Sequence, residues 1–110
     1  DFNAVSPWDF AQRQDDLLRL VAEHPPSGPL LEEREMQVIP QMEKAGYVDA
    51  MAAVGETGLG TFIRAAVPLR IDYIFLSQAL APALRACQVW QEEPGQEASD
   101  HRPVLADVDF

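Results

Sequence analysis

The sequence predicts an α+β fold in which helices come mostly first and strands mostly later. Apolar residues at helical spacing dominate the stretch before Gly46, and apolar runs with strand character lie in the second half. No internal repeat or low-complexity run divides the chain. With 110 residues and 47% hydrophobic content there is material for one small core, and the whole span 1–110 reads as one partial domain.

The opening Asp1–Val5 runs into Ser6-Pro7, a turn signal, and then into a stretch from about Asp9 to His24 with Phe10, Leu17, Leu18 and Val21 at helical spacing. Asp15 and Arg19 stand four apart on its wet side, the favourable order for an exposed pair. Pro25-Pro26-Ser27-Gly28-Pro29 ends this helix. Glu32 to Ala45 reads as a second helical region with Met36, Ile39 and Met42 on one face, where Pro40 must break it, kink it or open a new first turn. Gly46 is its stop, and Tyr47–Ala53 is ambiguous.

Gly55-Glu56-Thr57-Gly58-Leu59-Gly60 reads as a flexible loop emptying into a short strand, Thr61-Phe62-Ile63. Arg70–Leu76 is apolar on both faces except for one carboxylate, and Val104–Phe110 alternates cleanly; both predict strands, with a weaker one at Cys87–Gln91.

Composition excludes several classes. A formal net charge of -10, from 18 acidic against 8 basic residues with a single lysine, gives no basic footprint for gripping long nucleic acid. The lone Cys87 excludes an internal disulfide and a cysteine-based zinc site, and beside Leu84 and Val89 it reads as a buried small hydrophobe. No stretch approaches the roughly 18 apolar residues of a membrane span, and no charged-then-apolar leader opens the chain. The expectation is a soluble, cytoplasmic protein. The start at Asp-Phe-Asn-Ala, without Met, reads as the end of a strand and suggests a fragment.

Three segments carry candidate chemistry. In an extended segment Asp1 and Asn3 would project together while Phe2 turns into the core, joining a carboxylate to an amide that can orient water and meet phosphoryl charge. Taken alone, Asp-x-Asn reads as a turn or a cap. Asp72 sits inside Arg70-Ile71-Asp72-Tyr73-Ile74-Phe75, where a charge in an apolar strand needs a partner, either Arg70, the backbone or something functional. Ser99-Asp100-His101-Arg102-Pro103 places an acid, an imidazole and a guanidinium just before the last strand. A carboxylate that orients a histidine fixes its tautomer and stabilises the protonated ring, and Asp72 is a candidate for that acid.

Together, in this order, these segments resemble the endonuclease/exonuclease/phosphatase superfamily, which includes pancreatic deoxyribonuclease, apurinic endonucleases and sphingomyelinases. Asp1-Phe2-Asn3-Ala4 resembles its Gly-Asp-Phe-Asn element without the leading Gly, Arg70-Ile71-Asp72-Tyr73-Ile74 its Arg-Ile-Asp-Tyr-Ile strand, and Ser99-Asp100-His101 its closing Ser-Asp-His element. Gly46-Tyr47-Val48-Asp49-Ala50 and Thr61-Phe62 look like intervening landmarks, so the resemblance spans the chain.

The resemblance implies a four-layer sandwich of two packed β-sheets flanked by helices, with this chain supplying about the second half. It implies a metal-dependent phosphoesterase in which Asp1 orients or deprotonates the attacking water and Asn3 contacts the phosphate. His101, held by Asp72, would bind phosphoryl oxygens or shuttle a proton, while Asp100 helps bind Mg2+ or Mn2+. The family's glutamate metal ligand, early asparagine and further phosphate contact lie upstream of this sequence, so the chain alone is expected to be a poor catalyst with a weakly occupied metal site. A second reading is a non-catalytic half-sandwich that covers an open sheet face with a second copy or a partner.

Other candidates carry less. Gly55, Gly58 and Gly60 lack the Gly-Lys-Ser/Thr of a nucleotide loop. Trp8 could line a cleft near Asn3 but reads as a core residue, Trp90 as structural, and His24 as a helix cap. Arg102 is open between a phosphate contact and a surface ion pair.

Overall fold

A computed structural model describes residues 1–32, 34–56, 58–91 and 99–109. They form a mixed α+β structure with helices α1 (Gln14–Glu23), α2 (Val38–Lys44) and α3 (Ala50–Val54), together with short 3-10 turns. The strands are β1 (Val48–Asp49), β2 (Phe75–Leu76), β3 (Leu84–Val89) and β4 (Val104–Val108). They pair as two antiparallel two-stranded sheets, β1 with β2 and β3 with β4. No helix among the described residues is long and apolar enough to cross a membrane.

The helix expected from Asp9 is divided. Pro7–Phe10 forms a 3-10 turn that buries two consecutive residues, Asp9 towards a charge partner and Phe10 in the core. The α-helix begins only at Gln14, buries Leu20, and leaves Leu18 exposed where the spacing had placed it on the apolar face. Its ion pair is Arg13 Nε with Asp16 Oδ2 at 2.8 Å, not Asp15 with Arg19.

The second helix is shorter than expected because Pro40 lies in its first turn, where a missing N–H breaks no helical bond. Gly46, at φ 99°, ends it. The Gly46 and Tyr47 N–H groups donate to the Glu43 and Met42 carbonyls at 3.0 and 3.1 Å, the paired bonds that satisfy a helix C-terminus through a left-handed glycine.

Arg70–Leu76 is not a strand throughout; only Phe75–Leu76 pairs in a ladder. Its other backbone groups bond elsewhere. The N–H groups of Ile71 and Asp72 donate to Thr61 Oγ1 at 2.9 and 3.1 Å, Phe2 N–H donates to the Ile71 carbonyl, and Ala50 N–H to that of Ile74. Thr61–Ile63 likewise contributes a single bridge, Phe62 to His101, rather than a strand. The weak strand expected at Cys87–Gln91 is the end of the longer β3, paired with β4 through Cys87↔Ala106 and Val89↔Val104. Thr57 of the glycine loop and Phe110 of the last strand lie outside the described residues.

Two apolar clusters make the core. One joins Ala50 and Met51 of α3 to Cys87 and Val89 of β3; the other joins Phe10, Leu20 and Val67. Burial pushes the Cys87 thiol pKa up, helped by the charge of Asp49, which suits an inert core residue. Arg70, 2% exposed, sends Nε and Nη2 to Asp9 at 2.9 Å each and Nη1 to Asp49 at 2.8 Å. Asp9 neighbours Phe10 and Asp49 neighbours Ala50, so the guanidinium fastens the two clusters together. Burial acts to lower the Arg70 pKa, and the hydrogen bonds and charges of Asp9 and Asp49 outweigh it, holding the guanidinium charged.

The Tyr73 ring lies 4.4 Å from the Arg70 guanidinium. Its hydroxyl donates to the Arg70 carbonyl at 3.1 Å and accepts the Ser6 N–H at 3.0 Å. Burial raises the Tyr73 pKa, against the opposing pull of Arg70.

Arg70→Met strands two buried carboxylates and is expected to lower unfolding stability by about 3–5 kcal/mol in urea titrations. Arg85→Met, at an exposed pair with Asp109, should change it by less than about 1 kcal/mol. For Tyr73 the folded pKa is raised, so its stabilisation is complete below the ordinary tyrosine pKa of about 10 and lost as pH rises beyond it. In a Tyr47→Phe background, which leaves one tyrosine, absorbance at the tyrosinate band should rise only as near-ultraviolet dichroism collapses. Ionisation in the folded state would refute this.

Candidate active site

The segment following Arg70 carries Asp72 to the surface. Its backbone is held by Thr61, a fully buried residue whose hydroxyl accepts both N–H bonds, so the carboxylate leaves a fixed point. Gly60 makes this approach possible, because a Cβ there would lie 2.8 Å from the Leu69 backbone nitrogen. Thr61 and Phe62 in turn receive the loop before β4. Ile63 N–H donates to the Asp100 carbonyl at 2.9 Å and Arg102 N–H to the Thr61 carbonyl at 2.7 Å, bracketing His101.

His101 Nδ1–H donates to Asp72, with Oδ2 at 2.8 Å and Oδ1 at 3.0 Å. Asp72 thereby has a partner other than Arg70, which is occupied by Asp9 and Asp49. The His101 ring also packs on Phe62 at a centroid distance of 5.4 Å. Held on both sides, it presents Nε2 outward, 3.9 Å from Asp1 Oδ2 and 3.9 Å from Asp100 Oδ1. Both gaps exceed a direct hydrogen bond and suit an intervening atom.

Asp1 and Asn3 do not share a strand face. Asn3 adopts φ 47°, and its N–H donates to Asp1 Oδ1 at 2.7 Å, so the tripeptide is a turn. Phe2 is only partly covered, edge-on to Tyr73 and Phe75. The turn nevertheless leaves Asp1 beside His101 and Asn3 on the lining of the cavity that His101 also borders.

As a donor set, Asp1, Asp72 and His101 each offer one atom within 4.8 Å of the others. Asp72 is already engaged by His101, and Asp100 stands outside this group with Oδ2 3.7 Å from Arg64 Nε. The set fits a largely hydrated hard cation weakly and does not by itself select Mg2+ or Mn2+.

The remaining candidates sit apart from the chemistry. Trp8 is 62% exposed, not a core residue, and its Nε1–H donates to Glu43 at 2.8 Å. Trp90 follows β3 and is partly exposed, its N–H donating to the Pro103 carbonyl. His24 Nδ1 lies 2.6 Å from Ser27 Oγ, a side-chain partner in place of helix carbonyls. Arg102 Nη1 donates to the Gly60 carbonyl at 3.0 Å, turning the guanidinium into the protein rather than onto a surface acid. The contacts of Thr61, Arg64 and the Asp9–Arg70–Asp49 network gave no local signal in the sequence, since the partners lie 10 to 61 positions away or in another loop.

Comparison with protein-family models, curated proteins and solved structures finds no match to this chain.

Thr61→Val keeps the side-chain shape and removes the acceptor shared by two backbone N–H groups. It should cost about 1–3 kcal/mol in denaturant unfolding. Faster amide exchange at Ile71 and Asp72 is the accompanying signature; unchanged exchange there would show that Thr61 does not hold the Asp72 backbone.

Proposed function

We propose that this chain contributes the histidine–carboxylate half of a phosphoesterase site of the endonuclease/exonuclease/phosphatase type, which hydrolyses a phosphomonoester or phosphodiester by in-line attack of water. The observation that carries the reading is the Asp72–His101 pair, with Nε2 facing Asp1 and Asp100 at 3.9 Å each. In this reading the four strands belong to a four-layer sandwich completed by an N-terminal half or a second copy.

Asp72 fixes the Nδ1–H tautomer, which leaves the Nε2 lone pair available to take a proton and stabilises the ring once charged. Asp1 orients the attacking water, and the Asn3 amide donates to a phosphoryl oxygen. Protonated at Nε2, His101 donates to the phosphoryl group or returns its proton to the leaving alkoxide. Within the Asp1–Asp72–His101 donor set, Asp1 would be the residue to hold a hydrated Mg2+ or Mn2+, which would supply charge neutralisation at the phosphoryl group.

The alternative, an interaction module working through an open sheet face, has less support. The exposed residues of β3 and β4 are Arg85, Ala86, Gln88, Leu105 and Asp107, a mixed rather than apolar surface.

Hydrolysis of bis-p-nitrophenyl phosphate with Mg2+ or Mn2+ tests the reading, in this chain and in a longer polypeptide that supplies an N-terminal half. The short chain should be nearly inert and the longer one active. His101→Ala in the active form should lower kcat/KM by about 10²–10⁴-fold, and Asp72→Asn should lower kcat with dichroism unchanged. Metal-dependent turnover that survives His101→Ala would sink the assignment.

A further inference from the structure

The cavity beside His101 is larger and more apolar than a phosphate alone requires. It holds about 870 Å3 and is lined by Asn3, Arg64 and His101 together with residues of α1, the loops that follow it and the segment before Asp72. That volume lies in the range of sites that enclose a drug-sized ligand.

Its walls include Leu20, Leu31, Met36, Leu69 and Ile71. Leu20, Met36 and Ile71 are almost fully buried and so belong to the folded framework. Leu30 and Val38 line the same cavity yet remain 69% and 45% exposed, which leaves apolar surface that an occupant would cover.

Charge decides between occupants. Among the described residues, Arg64 is the one Lys or Arg on the lining, while Glu23 and Glu35 also border it. A nucleic-acid backbone laid along this surface would meet two carboxylates and too few cations to replace its counterions. A single phosphate beside His101 has Arg64 and Asn3 on the same lining as polar partners, and that lining offers aliphatic side chains to what the phosphate carries.

Resting on the phosphoesterase reading above, we infer that the substrate is an amphiphilic phosphoester: one phosphate seated at Asn3, Arg64 and His101, and an alkyl or similarly apolar substituent filling the adjoining cavity. The cavity rather than the histidine pair then sets specificity, because the pair is indifferent to what the phosphate carries.

Calorimetric titration with ethyl, butyl and hexyl phosphate separates binding from turnover. Affinity should rise by about fourfold for each methylene that the walls bury. Leu30→Glu, a change at an exposed rim position, should flatten this series while dichroism shows the fold intact. Equal affinity for all three phosphates, or a series that Leu30→Glu leaves unchanged, would overturn the inference.

Turnover of the matching alkyl p-nitrophenyl phosphates, measured with Mg2+ in the longer polypeptide described above, distinguishes the two readings. Hydrolysis indifferent to chain length, with indifferent binding, keeps the phosphoesterase and removes the apolar subsite. Chain-length-dependent binding without any hydrolysis keeps the subsite and removes the enzyme.

Discussion

One buried cation governs how this chain can fold. Taking a guanidinium out of water costs several kcal/mol, so Arg70 can be inside only if carboxylates come to it. Asp9 and Asp49 do so at different nitrogens of the guanidinium, one from the turn before α1 and the other from β1. Each is adjacent in sequence to a residue of a different apolar cluster, so meeting the charge requirement also brings the clusters together. Tyr73 closes the arrangement from the face of the guanidinium and spends its hydroxyl on two backbone groups. The hydrophobic effect alone would accept many packings of such small clusters; three charged groups with fixed hydrogen-bond directions accept far fewer.

The candidate site inherits this rigidity. Asp72 lies two residues beyond Arg70 on the same segment, and the Thr61 hydroxyl holds the backbone between them. The bridge from Phe62 to His101 then brings the imidazole to the carboxylate from a loop 29 positions away. The imidazole is held at Nδ1, and its Nε2 lies 3.9 Å from a carboxylate oxygen of each of Asp1 and Asp100. Arg64 Nε lies 3.7 Å from Asp100 Oδ2 and offsets part of that charge.

Features governed by neighbours in sequence were legible. The amphipathic spacing before His24, the Pro-rich stop, Pro40 in a first helical turn, Gly46 as a left-handed stop and the alternation of the last strand all act over a few residues. Cys87 in an apolar setting was equally readable. The three chemical segments were found by motif and order, and His101 does meet Asp72. Their geometry was less legible. Asp1 and Asn3 were expected on one strand face, whereas Asn3 turns left-handed and Asp1 accepts its N–H. Trp8 was assigned to the core by its apolar bulk, yet its indole N–H finds Glu43 on the surface.

The sequence by itself determined the α+β class, the two longer helices in outline, the last strand and the polar residues available for chemistry, because propensity, capping and alternation are short-range effects. Only the tertiary structure decided which of these residues have partners. It directed Arg70 to Asp9 and Asp49, released Asp72 for His101, and converted most of an expected strand into an extended segment bonded through a threonine hydroxyl. It also shaped the cavity from residues of four separate segments. Such pairings depend on hydrogen-bond directions and burial across long separations in sequence, which no local pattern encodes.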